Sequence, residues 1–161
     1  MAELASGGFS IHLAWKQPDE AMTLLVVDDN AGMVELIRRY LDGTAWRVIA
    51  ASSGEQARRL LAEANPQITG GFPTLFILDV ILPEEDGWEV LISLKSDPAT
   101  RAIPVIVCSA INEPQLMASL GAAAYLPKPV TRLSLLQAIA SWSRPAANPA
   151  PGPPEMHPTG G

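Results

Sequence analysis

Polar and charged side chains lie at the ends of four of the apolar segments of this chain. Asp28 and Asp29 end the first segment, Asp79 the third, Ser109 the fourth and Lys128 the fifth. If these segments are parallel strands of one open sheet, their carboxyl ends meet at the edge where such sheets bind ligands. We therefore expect the five side chains to converge on a single site.

These residue types predict phosphoryl chemistry supported by a magnesium ion. Neighbouring carboxylates repel one another, and Mg²⁺ relieves the repulsion because it prefers carboxylate oxygen and often shares its coordination shell with a phosphate. Lys128 supplies a compact positive charge for a carboxylate or phosphoryl oxygen, and Ser109 supplies a hydroxyl donor. An Asp in this setting can attack phosphorus and become an aspartyl phosphate, since positioning and charge neutralisation dominate phosphoryl transfer.

Five strand and helix units alternate around these residues. The strands are recognised as short apolar runs, and the helices as apolar residues three and four apart behind a capping residue. The predicted strands are Leu24–Val27, Trp46–Ala51, Leu75–Leu78, Pro104–Cys108 and Ala124–Leu126. This order predicts an α/β fold, a doubly wound five-stranded parallel sheet with helices on both faces and right-handed crossovers.

Capping residues and spacing predict where the helices lie. The residues expected to begin them are Asn30, Ser53, Asp86, Asn112 and Thr131. In the last helix the spacing predicts that Leu135, Ile139 and Trp142 face inward. The lone cysteine, Cys108, lies within an apolar run, so we expect a buried thiol without a disulfide partner.

The composition excludes several functional classes. The chain has 161 residues and a formal net charge of −6 at pH 7, and this acidic balance disfavours nucleic acid as a partner because phosphate backbones need a basic face. No segment has the ~18 apolar residues that a membrane span needs, and the N-terminus lacks the basic region of a secretion signal. We therefore expect a cytoplasmic protein without membrane insertion. Glycine-rich motifs for dinucleotides or nucleoside triphosphates are missing.

The two ends differ in composition from the centre. Residues 1–22 show no sustained period. We expect an N-terminal extension, either disordered or a remnant of a histidine kinase, since residues 7–13 faintly resemble the last strand of a kinase ATPase domain. Residues 23–143 carry all five units and form the predicted domain. Residues 144–161 are rich in Pro and Gly, and such a segment cannot bury enough apolar surface to order itself, so we expect a disordered tail.

From Thr23 to Trp142 the chain resembles the receiver domain of bacterial two-component response regulators, of the single-domain type. The segments that carry the resemblance, in the family's order and at suitable spacing, are Leu24–Asn30, Phe76–Gly87, Pro104–Ala110 and Gly121–Pro129. The resemblance implies a flavodoxin-like sheet with strand order 2-1-3-4-5. It also implies a phosphorelay, in which a histidine kinase or phosphotransfer protein donates the phosphoryl group and the receiver switches a face that contacts a downstream protein.

The same resemblance implies which residues accept the phosphoryl group and hold the metal. Asp79 is the expected phosphoacceptor. Asp28, Asp29 and Asp79 are the expected Mg²⁺ ligands, helped by the backbone carbonyl of Ile81. The resemblance implies Mg²⁺-dependent self-phosphorylation from a small phosphodonor and autodephosphorylation, rather than the turnover of a conventional enzyme.

The resemblance also implies a switch. Ser109 and Lys128 are expected to receive the phosphoryl oxygens, and Tyr125 is expected to change rotamer. The Lys128–Pro129 peptide bond is expected to be cis, which is a minority state for such bonds. Phosphorylation would draw Ser109 toward the phosphoryl group and let Tyr125 turn inward, a local charge event that biases a two-state element.

Two other functions stay open at this point. The first is a pseudo-receiver that docks without being phosphorylated. The second is a hydrolase of the haloacid-dehalogenase type, which needs a second Asp where this chain has Ile81. The chain also departs from the family pattern, because the stretch from Ser109 to Gly121 is about one helical turn short. Apolar side chains at Ile81 and Ile111 should alter water access to the phosphoryl group and therefore its lifetime.

Overall fold

A computed structural model describes residues 22–64 and 72–142 of the chain. The strands are β1 (Met22–Val27), β2 (Trp46–Ala51), β3 (Leu75–Leu78), β4 (Val105–Ser109) and β5 (Ala124–Pro127). The helices are α1 (Ala31–Leu41), α2 (Gly54–Ala62), α3 (Gly87–Ser96), α4 (Pro114–Ser119) and α5 (Arg132–Ala140). Strands and helices alternate along the chain, as the apolar pattern predicts.

All five strands form one parallel sheet in the order β2-β1-β3-β4-β5. The predicted fold class and strand order are therefore confirmed. Every residue of β3 and β4 is buried, because both strands are covered on both faces. This explains why they read as continuous apolar runs rather than alternating ones.

The sheet separates two hydrophobic cores, and successive residues of β1 point into different ones. Leu24 and Val26 contribute to the first core, whereas Leu25 and Val27 contribute to the second. Helices α1 and α5 bury their apolar residues in the first core, and α2, α3 and α4 bury theirs in the second. The helices thus cover both faces, and each strand end is free to deliver a polar residue to the edge.

Side-chain caps begin four of the five helices where the sequence predicts. Asn30 accepts hydrogen bonds from two backbone N–H groups of α1, and Ser53 and Asp86 each accept one at the starts of α2 and α3. Thr131 and Ser134 form a reciprocal capping box at the start of α5. Each cap satisfies an otherwise unpaired donor and contributes about 1 kcal/mol.

Two predictions about the helices are wrong. Asn112 does not begin the fourth helix, because α4 starts at Pro114 behind Glu113, which makes no side-chain cap. A proline already has the backbone angle of a first helical residue, which explains the later start. Trp142 does not face inward, since α5 ends at Ala140 and the tryptophan beyond it is 41% exposed. The helical spacing therefore no longer applies at that position.

Several sequence predictions concern residues outside the described ranges. These are the N-terminal extension before Met22, the resemblance of residues 7–13 to a kinase strand, and the tail of residues 144–161. Met22 itself is the first residue of β1 and pairs with Trp46. Within residues 22–64 and 72–142, no helix is long and apolar enough to cross a membrane.

Candidate functional site

Three carboxylates meet at the carboxyl edge of the sheet. Asp28 continues the ladder beyond β1, where its N–H donates to the carbonyl of Ala51, and Asp79 continues beyond β3, where its N–H donates to the carbonyl of Val27. With Asp29, they present ligand oxygens that all lie within 4.8 Å of one another. Asp28 and Asp79 are buried, and Asp29 is exposed. The sheet topology therefore brings together the acidic residues that the sequence singled out.

Lys128 bridges the two buried carboxylates from the end of β5. Its Nζ lies 3.0 Å from Oδ2 of Asp28 and 2.8 Å from Oδ2 of Asp79. Burial lowers the pKa of Lys128, but its hydrogen bonds to Asp79 and Asp28 and their charges outweigh that effect, so the pKa lies above its ordinary value. The ammonium therefore stays protonated and offsets one negative charge of the three.

Backbone donors orient the same two carboxylates. The N–H of Asn30 donates to Oδ1 of Asp28 over 2.8 Å, and the N–H of Ile81 donates to Oδ1 of Asp79 over 2.9 Å. In each aspartate one oxygen is held by the backbone and the other by Lys128. The planes of both carboxylates are thus set before any ligand arrives, which is the arrangement that a reacting group needs.

Ser109 lies on the adjacent strand at the same edge. Leu78 pairs with Val107, so the end of β4 extends past the level of Asp79. The Ser109 side chain is fully buried, and its Oγ accepts a hydrogen bond from the N–H of Ile111 over 3.2 Å. Among residues 22–64 and 72–142 no acceptor takes its hydroxyl hydrogen, which can therefore turn toward an oxygen of a ligand.

The carbonyl of Ser109 connects this strand end to β5. It accepts one hydrogen bond from the N–H of Lys128 over 3.2 Å and another from the hydroxyl of Tyr125 over 3.0 Å. Tyr125 is half-buried, and the Lys128–Pro129 peptide bond is cis. Ser109, Tyr125 and Lys128 therefore belong to one connected group rather than three independent positions.

The loop between β3 and α3 carries Ile81 and is closed at its base. Ile81 and Asp86 form an isolated antiparallel bridge, and the N–H of Gly87 donates to the carbonyl of Val80 over 3.2 Å. A side chain at Gly87 would collide with the backbone of Val80, so only glycine permits this close approach. From the sequence, Gly87 had no predicted role of its own, although a Gly directly after a capping Asp is a usable signal.

The oxygen donors fit a magnesium ion. Mg²⁺ takes six oxygens at about 2.0 Å and usually keeps several waters, so two or three carboxylates within one small space suffice. Asp28, Asp29 and Asp79 supply such oxygens within 4.8 Å. With Lys128 protonated, the cluster keeps a net negative charge that a divalent cation can neutralise.

Comparison with known proteins gives, by sequence, the family that the motifs of this chain resemble. The model of the response regulator receiver domain matches residues 24–140. Response regulator PleD of Caulobacter vibrioides is 34% identical over 125 residues, which make up 75% of this chain and 26% of PleD. The chain therefore spans only about a quarter of that relative's length.

Two solved structures resemble this chain over nearly their whole length. The phosphorylated cyanobacterial phytochrome response regulator RcpA is 28% identical with a TM-score of 0.63, over 80% of this chain and 99% of that one. The Mn²⁺-bound form of response regulator Rcp1 is 26% identical with a TM-score of 0.64, over 79% of this chain and 97% of that one.

Proposed function

Because the chain belongs to the family of response regulator receiver domains, we propose that Asp79 is its phosphoacceptor. The phosphoryl group comes from a phosphohistidine of a histidine kinase or phosphotransfer protein. Phosphorylation then switches a face that contacts a downstream protein. The phosphodonors of such relays work in the cytoplasm, where we place this protein too.

One observation supports this proposal above all others. Asp79 is buried, one of its oxygens accepts the N–H of Ile81, and the other lies 2.8 Å from Nζ of Lys128. Asp28 and Asp29 present oxygens within 4.8 Å of it. A carboxylate held in this way is oriented for attack and surrounded by groups that can neutralise the charge of a phosphoryl group.

The reaction transfers one phosphoryl group between two protein side chains. A carboxylate oxygen of Asp79 forms a bond to phosphorus as the bond between phosphorus and the histidine nitrogen breaks. That nitrogen leaves with the electron pair, and the imidazole returns to its ordinary protonation equilibrium. The ammonium of Lys128 and the hydroxyl of Ser109 then pair with phosphoryl oxygens. Hydrolysis of the aspartyl phosphate by water releases orthophosphate and restores the carboxylate.

Magnesium would be held by Asp28, Asp29, Asp79 and the backbone carbonyl of Ile81. When bound, it neutralises negative charge on the phosphoryl oxygens. The residues of the chain contribute the rest. The N–H of Ile81 orients Asp79, and Lys128 keeps a positive charge beside it.

The switch we propose acts through the carbonyl of Ser109. Tyr125 already donates its hydroxyl to that carbonyl, so a shift of Ser109 toward a phosphoryl group changes the position or strength of this hydrogen bond. β5 carries Tyr125 between α4 and α5, so these three elements form the face that changes. Coupling of this kind typically amounts to about 1–3 kcal/mol.

Acetyl phosphate with Mg²⁺ tests the phosphoacceptor directly. The native chain should gain the mass of one phosphoryl group, and that group should be released by hydroxylamine, as expected for an acyl phosphate. The Asp79→Asn variant should gain none. The Asp42→Asn variant, changed at the exposed C-cap of α1, should be labelled like the native chain.

Two outcomes would contradict the proposal. Labelling that persists in Asp79→Asn would place the phosphoryl group on another residue. No change in the native chain with either acetyl phosphate or beryllofluoride would favour a docking module that works without phosphorylation.

A further inference from the structure

An ion pair links the loop between β3 and α3 to a different element. Within the described residues, Glu85 makes the hydrogen bond and ion pair by which residues 82–85 reach another helix or strand. Its Oε1 lies 2.7 Å from Nη2 of Arg58 in α2. These residues lie 27 positions apart in the chain. The inner part of the loop is closed on itself by the Ile81–Asp86 bridge.

The side chain of Glu85 is partly buried. It is 22% exposed, and its carboxylate lies so close to Gly54 that a side chain there would collide with it. Gly54 is the first residue of α2, where the helix dipole favours a negative charge. The carboxylate therefore lies against the start of α2 and pairs with Arg58.

We propose that Arg58 and Glu85 are positioning residues, which clamp the β3–α3 loop and thereby hold Ile81 and Asp79 in the geometry of the metal and phosphoryl site. The inference rests on the proposed function, because Ile81 is expected to offer its carbonyl to magnesium. Its N–H already orients Asp79. A loop that moves at its outer end should loosen both groups at once.

For a substitution of Arg58, the clamp and the charge alone predict opposite changes in the affinity for a cation. The proposal is therefore testable. Removing a positive charge near an acidic site should strengthen the binding of a cation or leave it unchanged, depending on screening. Loss of a clamp should weaken it. The neighbouring Arg59 offers a matched control, because it pairs with Glu55 over 2.9 Å within α2, and among the described residues it makes no hydrogen bond or ion pair with the loop.

The first measurement is the affinity for Mn²⁺, with free metal counted by electron paramagnetic resonance in the full chain. Arg58→Gln should raise the dissociation constant about threefold, which corresponds to the middle of the range for one exposed ion pair. Arg59→Gln should leave it unchanged or slightly lower. Glu85→Gln should raise it more than Glu55→Gln does, and the double variant Arg58→Gln with Glu85→Gln should be no weaker than either single one.

The reversed pair separates the contact from the charges. Arg58→Glu combined with Glu85→Arg keeps the net charge and can form the same ion pair with opposite polarity. The dissociation constant should return toward the native value. Each of these two substitutions alone places like charges together and should weaken Mn²⁺ binding beyond the matching Gln variant.

The second measurement needs no metal. Amide hydrogen exchange at Ile81 and Gly87, whose N–H groups donate within the loop, should be about threefold faster in Arg58→Gln than in Arg59→Gln. If Arg58→Gln matches Arg59→Gln in both measurements, the clamp does not exist. If the native chain takes up neither Mn²⁺ nor a phosphoryl group, the proposed function fails, and the exchange rates still decide whether the clamp holds the loop.

Discussion

Replacing Lys128 by methionine should destabilise the metal-free protein strongly, because it leaves two buried carboxylates without their shared cation. The Asp28 and Asp79 side chains are 3% and 7% exposed, and their ligand oxygens lie within 4.8 Å of one another. At an effective dielectric constant of about 20, two unit charges at that distance repel by about 3 kcal/mol. Breaking one partner out of a buried pair typically costs about 3–5 kcal/mol.

We use about 3 kcal/mol, the lower end of this range. The Lys128 side chain is 20% exposed, so water partly screens its interaction with the two carboxylates. Urea unfolding in the presence of EDTA should show a loss of about 3 kcal/mol in the free energy of unfolding. Added Mg²⁺ should recover part of it, since the cation replaces the missing charge. Asp28→Asn placed in the Lys128→Met background should also recover part, because only one buried charge then remains.

The pH dependence of this difference has a definite sign. The pKa of Lys128 is raised in the folded chain, so the stability it contributes is complete below the unfolded pKa of about 10.4. It is lost only as the pH rises through the higher folded pKa. The difference between native and Lys128→Met should therefore be constant from pH 7 to about pH 10 and shrink above that. A variant as stable as the native chain in EDTA, or no recovery with Asp28→Asn, would refute the reasoning.

Three further outcomes follow from buried or exposed groups near the same sheet. Burial raises the pKa of Cys108 to about 12, so a thiol reagent at pH 8 should react more than about 100-fold more slowly with the folded chain than with the chain in urea; comparable rates would contradict this. Thr23 is 1% exposed and its hydroxyl has no partner among the described residues, so Thr23→Val should raise the free energy of unfolding by about 1 kcal/mol. Thr100→Val should lower the free energy of unfolding, because the Thr100 hydroxyl donates to a backbone carbonyl. Ile81 and Ile111 are 50% and 37% exposed beside Asp79 and Ser109. Asn at both positions should hold water near the phosphoryl group and speed its loss about tenfold, measured as decay of the phosphorylated form; an unchanged lifetime would remove these two side chains from the control of hydrolysis.

Most of the site could be predicted because it depends on local pattern. A strand buried on both faces reads as a short apolar run, and the polar residue that ends it must emerge at the sheet edge. Asp28, Asp79 and Lys128 were singled out for that reason. In the structure, Nζ of Lys128 lies within hydrogen-bonding distance of both carboxylates. The caps of α1 and α5 were equally local, since Asn30 and Thr131 bond within three residues of themselves.

The two wrong predictions concern helix ends, which the local pattern of apolar residues predicts poorly. Asn112 is a good capping residue, but Pro114 begins α4, because a proline's fixed backbone angle suits the first helical turn. The helical spacing around Trp142 continues past the point where α5 ends. Helix ends depend on backbone groups and neighbouring contacts that the spacing of apolar residues does not record.

The sequence by itself determined the order of strands and helices, the burial of the central strands and the identity of the acidic and basic residues at the sheet edge. These follow from the alternation of apolar runs and polar ends, which is a short-range property of the chain. Only the tertiary structure decided that Lys128 bridges Asp28 and Asp79, that Tyr125 donates to the carbonyl of Ser109, and that Glu85 reaches Arg58. The first of these contacts joins residues 100 positions apart, which follow the ends of β1 and β5. Their atoms meet because both strands belong to one sheet, and the distance across the edge of that sheet is not recorded by any spacing along the chain.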